Sequence, residues 1–478
     1  MVMRTTDTAP TTDSKQVDDG AQGGSRPGLY PPAITPPDEP LPVLDFVRQF
    51  IANPIRGLPR QVYEQDFTLY QPTKRLTVLW VTGPALIEDV LVGKAGVLNK
   101  SPLEKQVFAG TLGDGVLTSD GALWRWQRRV MAPLFRHGEI LSYVPTMARV
   151  AEEQVLRWRQ TGEGERHIDD DMMVATFKVI MGTMLVGGDT AEGDAIMRGG
   201  SDYLSRVSWE MAHALLRLPK WVPHPASGQM RRAARSVRTA LSDIIARRRE
   251  EANGGTDLLA RLLSARDPQT GEPMTHEQLI NNVSTLLEAG HETTAKALTW
   301  TLYLLARAPE WQERVRDEVR EVAGDGPISA EHIGKLEATT RVLKESMRLY
   351  PPVPVVARQP SEPIEVAGLK LPAAAQIVVP IFAVHRHRRY WEDPGRFDPD
   401  RFLPEHEEKM PRTQFMPFGA GPRICLGQSF AMVEAVTLLA TFVRAARFDW
   451  DGQHLPEPIS RITLRPRGGM PLTVRPVG

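Results

Sequence analysis

The feature that most restricts the fold is one uninterrupted helical pattern running from Thr275 to the edge of Pro309. Thr275 followed by Gln278 forms a capping box, in which a hydroxyl and an amide satisfy free backbone groups at a helix start. Leu279, Val283, Leu286, Leu287, Leu298, Leu302 and Leu305 supply an apolar stripe, and Pro309 forbids continuation. About thirty residues of helix span roughly 45 Å, so this element crosses the whole molecule. Most periodic segments from about Ala85 to Tyr350 are also helical, broken by loops such as 218–223. Strand signals are confined to Phe67–Tyr70 and Leu76–Val81, joined by a turn at Pro72-Thr73-Lys74, and to short runs after Pro351. Among the latter are Ile364–Val366 and Leu369–Leu371, flanking Ala367-Gly368. The expected class is mainly α with a small β region.

Composition narrows the function. The 58 Lys and Arg residues cancel 58 Asp and Glu, so the basic excess of a nucleic-acid binder is missing and no nucleic-acid partner is expected. A single cysteine in 478 residues excludes an intramolecular disulfide and any zinc site built from several thiolates. A reducing, cytoplasmic setting is the expectation. No apolar run approaches the eighteen or so residues of a membrane span. Residues 1–40, rich in Thr, Asp, Gly and Pro, are expected to form a solvated tail ahead of one domain over 41–478.

That one cysteine lies in Phe418-Gly419-Ala420-Gly421-Pro422-Arg423-Ile424-Cys425-Leu426-Gly427, just after a glycine-rich loop and just before an apolar helix. Glycines let backbone approach a flat ligand closely, and a helix N-terminus favours a thiolate. The plain alternative is a buried structural cysteine. Within the long helix, Leu286, Ala289, Gly290, Thr293 and Ala297 share one face. Small residues around one hydroxyl leave room there, and Thr293 can bond back to the Ala289 carbonyl. The alternative is close packing against a neighbouring helix. Glu345 and Arg348 sit one turn apart before Pro351-Pro352; such pairs are commonly solvated and contribute little. Trp124 and Arg128 are also one turn apart, on a helix whose Arg125 and Arg129 are expected to face solvent or a partner.

These segments resemble the cytochrome P-450 family. Phe418 to Gly427 fills every fixed position of its F-x-x-G-x-R-x-C-x-G signature. Ala289-Gly290-His291-Glu292-Thr293-Thr294 matches A-G-x-[DE]-T-[ST], Glu345 and Arg348 match E-x-x-R, and Trp124 and Arg128 match W-x-x-x-R. Asp393 to Phe402 resembles the P-E-R-F region, with Asp400 in place of the commoner glutamate. The matches run in family order from Trp124 to Gly427, which describes one domain with a long central helix over a haem.

The resemblance implies that Cys425 ligates the iron of a haem b, iron protoporphyrin IX, and that O2 is co-substrate. It also implies that Phe418 packs near the sulfur while Gly419, Gly421 and Gly427 let the loop lie on the porphyrin. Arg423, Trp124, Arg128 and Arg358 would hold propionates, and Ala289 and Gly290 would face the haem. Thr293 would steady dioxygen and Glu292 would join a proton relay, with His291 a surface or packing residue. Glu345, Arg348 and Arg401 would form a buried network behind the cysteine loop.

Phe108, Leu112, Leu286, Val355, Val356, Met470 and the segment near Trp209–Trp221 would line a pocket for a small apolar substrate. No bound flavin or nicotinamide cofactor is expected, since no dinucleotide G-x-G-x-x-G and no spare chain are present. The implied partners are a ferredoxin and its NAD(P)H-dependent reductase, acting on a monomer. A peroxide-driven oxygenase or isomerase, and a haem-thiolate sensor or electron carrier, stay open as alternatives. The Glu292–Thr293 pair argues against the first, and a substrate pocket would argue against the second.

Overall fold

The fold is described from a computed structural model, which covers residues 28–477 apart from 74–75, 186–190, 216–221 and 251–256. The loop expected at 218–223 lies mostly outside the described residues, as does Lys74 of the first turn. The long helix runs His276–Arg307. The Thr275 Oγ1 accepts from the Gln278 amide at 3.3 Å, and the Thr275 amide donates to Gln278 Oε1 at 2.8 Å. Pro309 ends it and opens the next helix, Pro309–Ala323, at the position where a missing N–H costs nothing.

Around this rod pack the helices Pro102–Leu112, Ile168–Met184, Ser227–Glu250, Glu337–Leu349 and Gln428–Ala445. Trp300 stacks on Tyr350 with ring centroids 3.8 Å apart and planes 8° from parallel, pinning the long helix to the end of Glu337–Leu349.

The strands are short and peripheral. The larger sheet contains β1 (Phe67–Thr73), β2 (Leu76–Val81), β3 (Leu98–Lys100), β5 (Val356–Pro360) and β8 (Gln376–Val379), in the order β1-β2-β8-β5-β3. Only β2 and β8 are parallel, with Leu79 opposite Ile377; the other pairs are antiparallel. β4 (Gly164–His167), β9 (Ala446–Asp449) and β12 (Pro471–Pro476) form a second sheet. β6 (Ile364–Val366) and β7 (Leu369–Leu371) form the expected hairpin, and Ala367 and Gly368 both adopt positive φ at its turn. β10 (Pro458–Ser460) pairs with β11 (Leu464–Pro466).

Of the solvated tail expected over residues 1–40, residues 1–27 lie outside the described residues. From Gly28 onward the chain is pinned to the body. The Tyr350 hydroxyl donates to Pro32 O at 2.7 Å, the Phe397 amide to Leu29 O at 2.9 Å and the Arg60 amide to Pro37 O at 2.8 Å. Prolines prevent this segment from forming helix but leave its carbonyls free to accept from buried donors.

Candidate haem-thiolate site

Cys425 is held by local geometry. Its amide donates to Phe418 O at 2.9 Å, closing the loop, and helix Gln428–Ala445 begins directly after Gly427. Gly421 adopts φ 72°, and a Cβ there would stand 2.1 Å from the carbonyl oxygen of Leu91. No side chain fits, so the glycine is required by the neighbouring segment as well as by the turn. The thiol keeps an accessible side although protein encloses the rest of it. Burial pushes its pKa up, while the Gly427 N–H and the nearby Arg128 guanidinium pull it down.

The loop is anchored from behind. Arg348 uses all five of its N–H donors: two reach the Glu345 carboxylate at 2.6 and 2.8 Å, and the others reach the carbonyls of His385, Pro394 and Arg396. Glu345 and Arg348 are both fully enclosed, so this pair is not the solvated alternative. The Asp398 amide donates to Glu345 Oε1 at 2.8 Å. Arg401 Nε is 3.6 Å from the same oxygen, and its other nitrogens donate to Glu392 O and Asp393 O.

His385 completes the chain of contacts. Its Nε2 accepts from the Met416 amide at 2.9 Å, two residues before Phe418. Burial and the adjacent Arg348 lower its pKa to about 3, so it stays a neutral acceptor. Sequence reasoning overlooked His385, since a histidine in the basic run His385-Arg386-His387-Arg388-Arg389 carries no signal of its role. Asp400 turns outward, accepting from Arg341 at 2.6 Å.

Three guanidinium groups surround the cysteine side. The Arg423 guanidinium lies 4.3 Å over the Trp124 ring centroid and bonds to Asp120 and to Ser119 O. Arg358 is buried and bonds only to Ala357 O, and among the described residues no carboxylate bonds to it or to Arg128. Burial lowers the pKa of all three. Arg129, expected to be free, is tied in a fork to the enclosed Asp267 at 2.9 and 3.2 Å, which leaves Arg125 as the exposed cation of that helix.

On the long helix, every residue from Leu279 to Leu305 is buried except Leu286, Ala289, Gly290, His291 and Thr293. His291 packs edge-on against Phe177 and bonds to Leu287 O. The remaining four fall within an arc of about 100°, so the accessible stripe consists of small residues, one leucine and one hydroxyl. Thr293 Oγ1 donates to Ala289 O at 2.8 Å. Gly290 also has a packing role, because a Cβ there would meet Ile180 Cδ1 at 3.0 Å.

Glu292 points elsewhere. Its carboxylate accepts from Thr463 Oγ1 at 2.7 Å and pairs with Arg465 at 2.7 Å, so no contact links it to Thr293. A relay through Glu292 therefore requires that carboxylate to swing or to be bridged by water. Glu288, one turn earlier, was also overlooked. It accepts from Thr111 at 3.0 Å, and burial pushes its pKa up to about 8.

Two pocket assignments are corrected. Met470 and Leu112 are 0% and 1% exposed, and a residue without accessible surface lines no opening. Met470 serves the junction of β12 with helix Ile168–Met184, where its carbonyl accepts from the Ile168 amide and its amide donates to Asp169. Leu286, Val355 and Val356 keep partial exposure. Phe108 packs against the cluster of Val107, Val207 and Met211. Trp209 is 49% exposed, and Trp221 lies outside the described residues.

The donor set suits a macrocycle-borne metal. Among the described residues no group of three His, Cys, Asp or Glu could hold a bare ion, so a metal bound by the one thiolate must bring its other ligands with it. Buried guanidinium groups lacking carboxylate partners suit the propionate edge of such a group.

A cytochrome P450 family model matches residues 51–472. A cytokinin hydroxylase from Arabidopsis thaliana is 31% identical over 423 residues, covering 87% of this chain and 81% of the relative. A cyclooctatin synthase from Streptomyces melanosporofaciens is 31% identical over 398 residues, covering 82% and 84%. A crystal structure of a cytochrome P450DA heme domain superposes with a TM-score of 0.80 at 24% identity, over 93% of this chain and 98% of that one. The chain belongs to the cytochrome P450 family and has its fold: it is a haem-thiolate monooxygenase, an oxidoreductase that uses O2.

Proposed function

We propose that this chain binds haem b through Cys425 and oxidises a small apolar molecule, most simply by hydroxylation. Two features carry this reading together. A thiol sits on a glycine-clamped loop beside three guanidinium groups, and the long helix that crosses the molecule bares only a narrow stripe ending in Thr293. When bound, the haem supplies the electron-transfer and oxygen-activating chemistry.

The protein's own residues do the rest. The Gly427 N–H and Arg128 favour the thiolate. Arg128, Arg358 and Arg423 hold the propionates, with Trp124 stacked on Arg423. Phe418 shields the sulfur. Thr293 presents a hydroxyl that can accept a proton and pass one on, and Glu292, released from Arg465, supplies protons from the far side of the helix. Leu286, Val355, Val356 and Phe108 give the substrate apolar contacts and exclude water.

The proposed electron source is a ferredoxin with its NAD(P)H-dependent reductase, docking near Arg125, with the chain a cytoplasmic monomer that carries no flavin. Among the described residues no helix is long and apolar enough to cross a membrane. The test is optical. The reduced protein with carbon monoxide should show the red-shifted thiolate band that names the family, and Cys425→His should lose that band while retaining a folded chain. A wild-type protein that stays colourless with iron and porphyrin supplied refutes the reading. Titrating a panel of apolar compounds against the haem spin state then narrows the substrate class.

A further inference from the structure

Asp120 precedes helix Gly121–Met131, where an aspartate ordinarily accepts from the first amides of its own helix. It makes no such bond. Its carboxylate instead gathers groups from three other elements. It accepts from Arg423 of the cysteine loop, pairs with Lys105 of helix Pro102–Leu112 at 2.6 Å, and receives the Lys100 amide of β3 at 3.2 and 3.3 Å. The Asp120 side chain is only 13% exposed, so solvent screens it weakly.

The surrounding charges give this arrangement a purpose. Arg128, Arg358, Arg423, Lys100 and Lys105 cluster here, and among the described residues the carboxylates that pair with or act on them are Glu104, which pairs with Lys100 at 2.5 Å, and Asp120. Five cations against two carboxylates leave three positive charges. A thiolate and two propionates would bring three negative ones, which match the three with a ferrous haem core and fall one short with a ferric core, itself carrying one positive charge. Without Asp120 the site would be over-positive, and Arg423 would keep Trp124 and Ser119 O but lose its ionic anchor.

We propose that Asp120 is a positioning residue and fixed counter-charge for the haem edge, orienting Arg423 between carboxylate and indole and tying helix Pro102–Leu112 to the cysteine loop through Lys105. This rests on the haem-thiolate reading and adds to it a residue that tunes the electrostatics of the bound group. Removing a buried negative charge favours the electron-rich, reduced state. Asp120→Asn, which keeps the shape and one acceptor oxygen, therefore raises the midpoint potential. Lys105→Gln lowers it, and by less, because Lys105 is 43% exposed. The double variant lies between the two singles. A purely structural role would not give shifts of opposite sign.

The second readout is haem retention, measured by transfer to excess apomyoglobin. Asp120→Ala should release haem about tenfold faster than wild type, the usual scale for losing a supporting partner of a ligand-holding group, and Asp120→Asn should fall between. Variants that keep the thiolate spectrum yet show an unchanged potential, shifts of one sign, or unchanged haem release overturn the proposal alone. A wild-type chain that takes up no haem overturns the functional reading and this proposal with it.

Discussion

Replacing Glu288 by glutamine removes a titration from the middle of the long helix. Burial, joined by the charge of Glu292 one turn on, pushes this carboxyl from the ordinary 4.5 up to about 8, despite the bonds from Thr111 and Ser284 that pull the other way. Between those two pH values the native state holds a proton that the unfolded chain has already released, so stability falls as pH rises through the window and levels off above 8. At about 1.4 kcal/mol per pH unit, the loss at pH 8 approaches roughly 4 kcal/mol. Glutamine can accept from Thr111 and donate to Ser284 without titrating.

The variant should therefore match wild type to within about 1 kcal/mol near pH 5 and exceed it by roughly 4 kcal/mol at pH 8. With an unfolding entropy of about 2.1 cal/mol/K per residue, that gap corresponds to roughly 4 °C in Tm for a chain of this length. Scanning calorimetry of both proteins from pH 5 to pH 8.5 reads the difference directly. Parallel Tm curves would refute the claim that Glu288 is held protonated.

Glu345→Ala strands the Arg348 charge in the core and should cost about 3–5 kcal/mol; the check is the yield of soluble, haem-replete protein, and a normal yield would contradict the network described. Gly421→Ala forces the loop away from Leu91 O and should abolish the thiolate band while leaving helical circular dichroism intact. Arg465→Leu leaves Glu292 bonded to Thr463 alone, and should alter the solvent isotope effect and pH profile of product formation. The surface change Arg467→Leu, which breaks only the pair with Glu457, serves as its control.

Local features were the most legible in the sequence. The capping box at Thr275, the stop at Pro309 and the Ala367-Gly368 turn depend on residues within a few positions of one another, so spacing alone reveals them. The cysteine loop was legible for the same reason. The Glu345–Arg348 spacing was visible, but its enclosure was not, since the carbonyls of His385, Pro394 and Arg396 come from about forty to fifty residues further along the chain.

Direction was the harder matter. Glu292 stands beside Thr293 in sequence, yet one residue is a turn of about 100° on a helix, and Arg465, far along the chain, draws the carboxylate to the other side. Arg129 read as a solvent-facing cation because Asp267 lies too far away in sequence to be foreseen as its partner. The proline-rich stretch after Gly28 read as tail because composition registers solubility, not whether a core tyrosine needs an acceptor. Asp120 offered an acid before a helix, and nothing nearby signals that it serves other elements.

The long helix has one consequence for how such a catalyst can diversify. Its exposed window is four residues wide, and three neighbouring constraints (Ile180 against Gly290, the Thr293 bond to Ala289, and burial on every other face) leave scarcely any substitution that preserves the rod. Novelty in what is oxidised must then be written into residues away from this helix. The machinery that handles oxygen can stay constant while the guest changes.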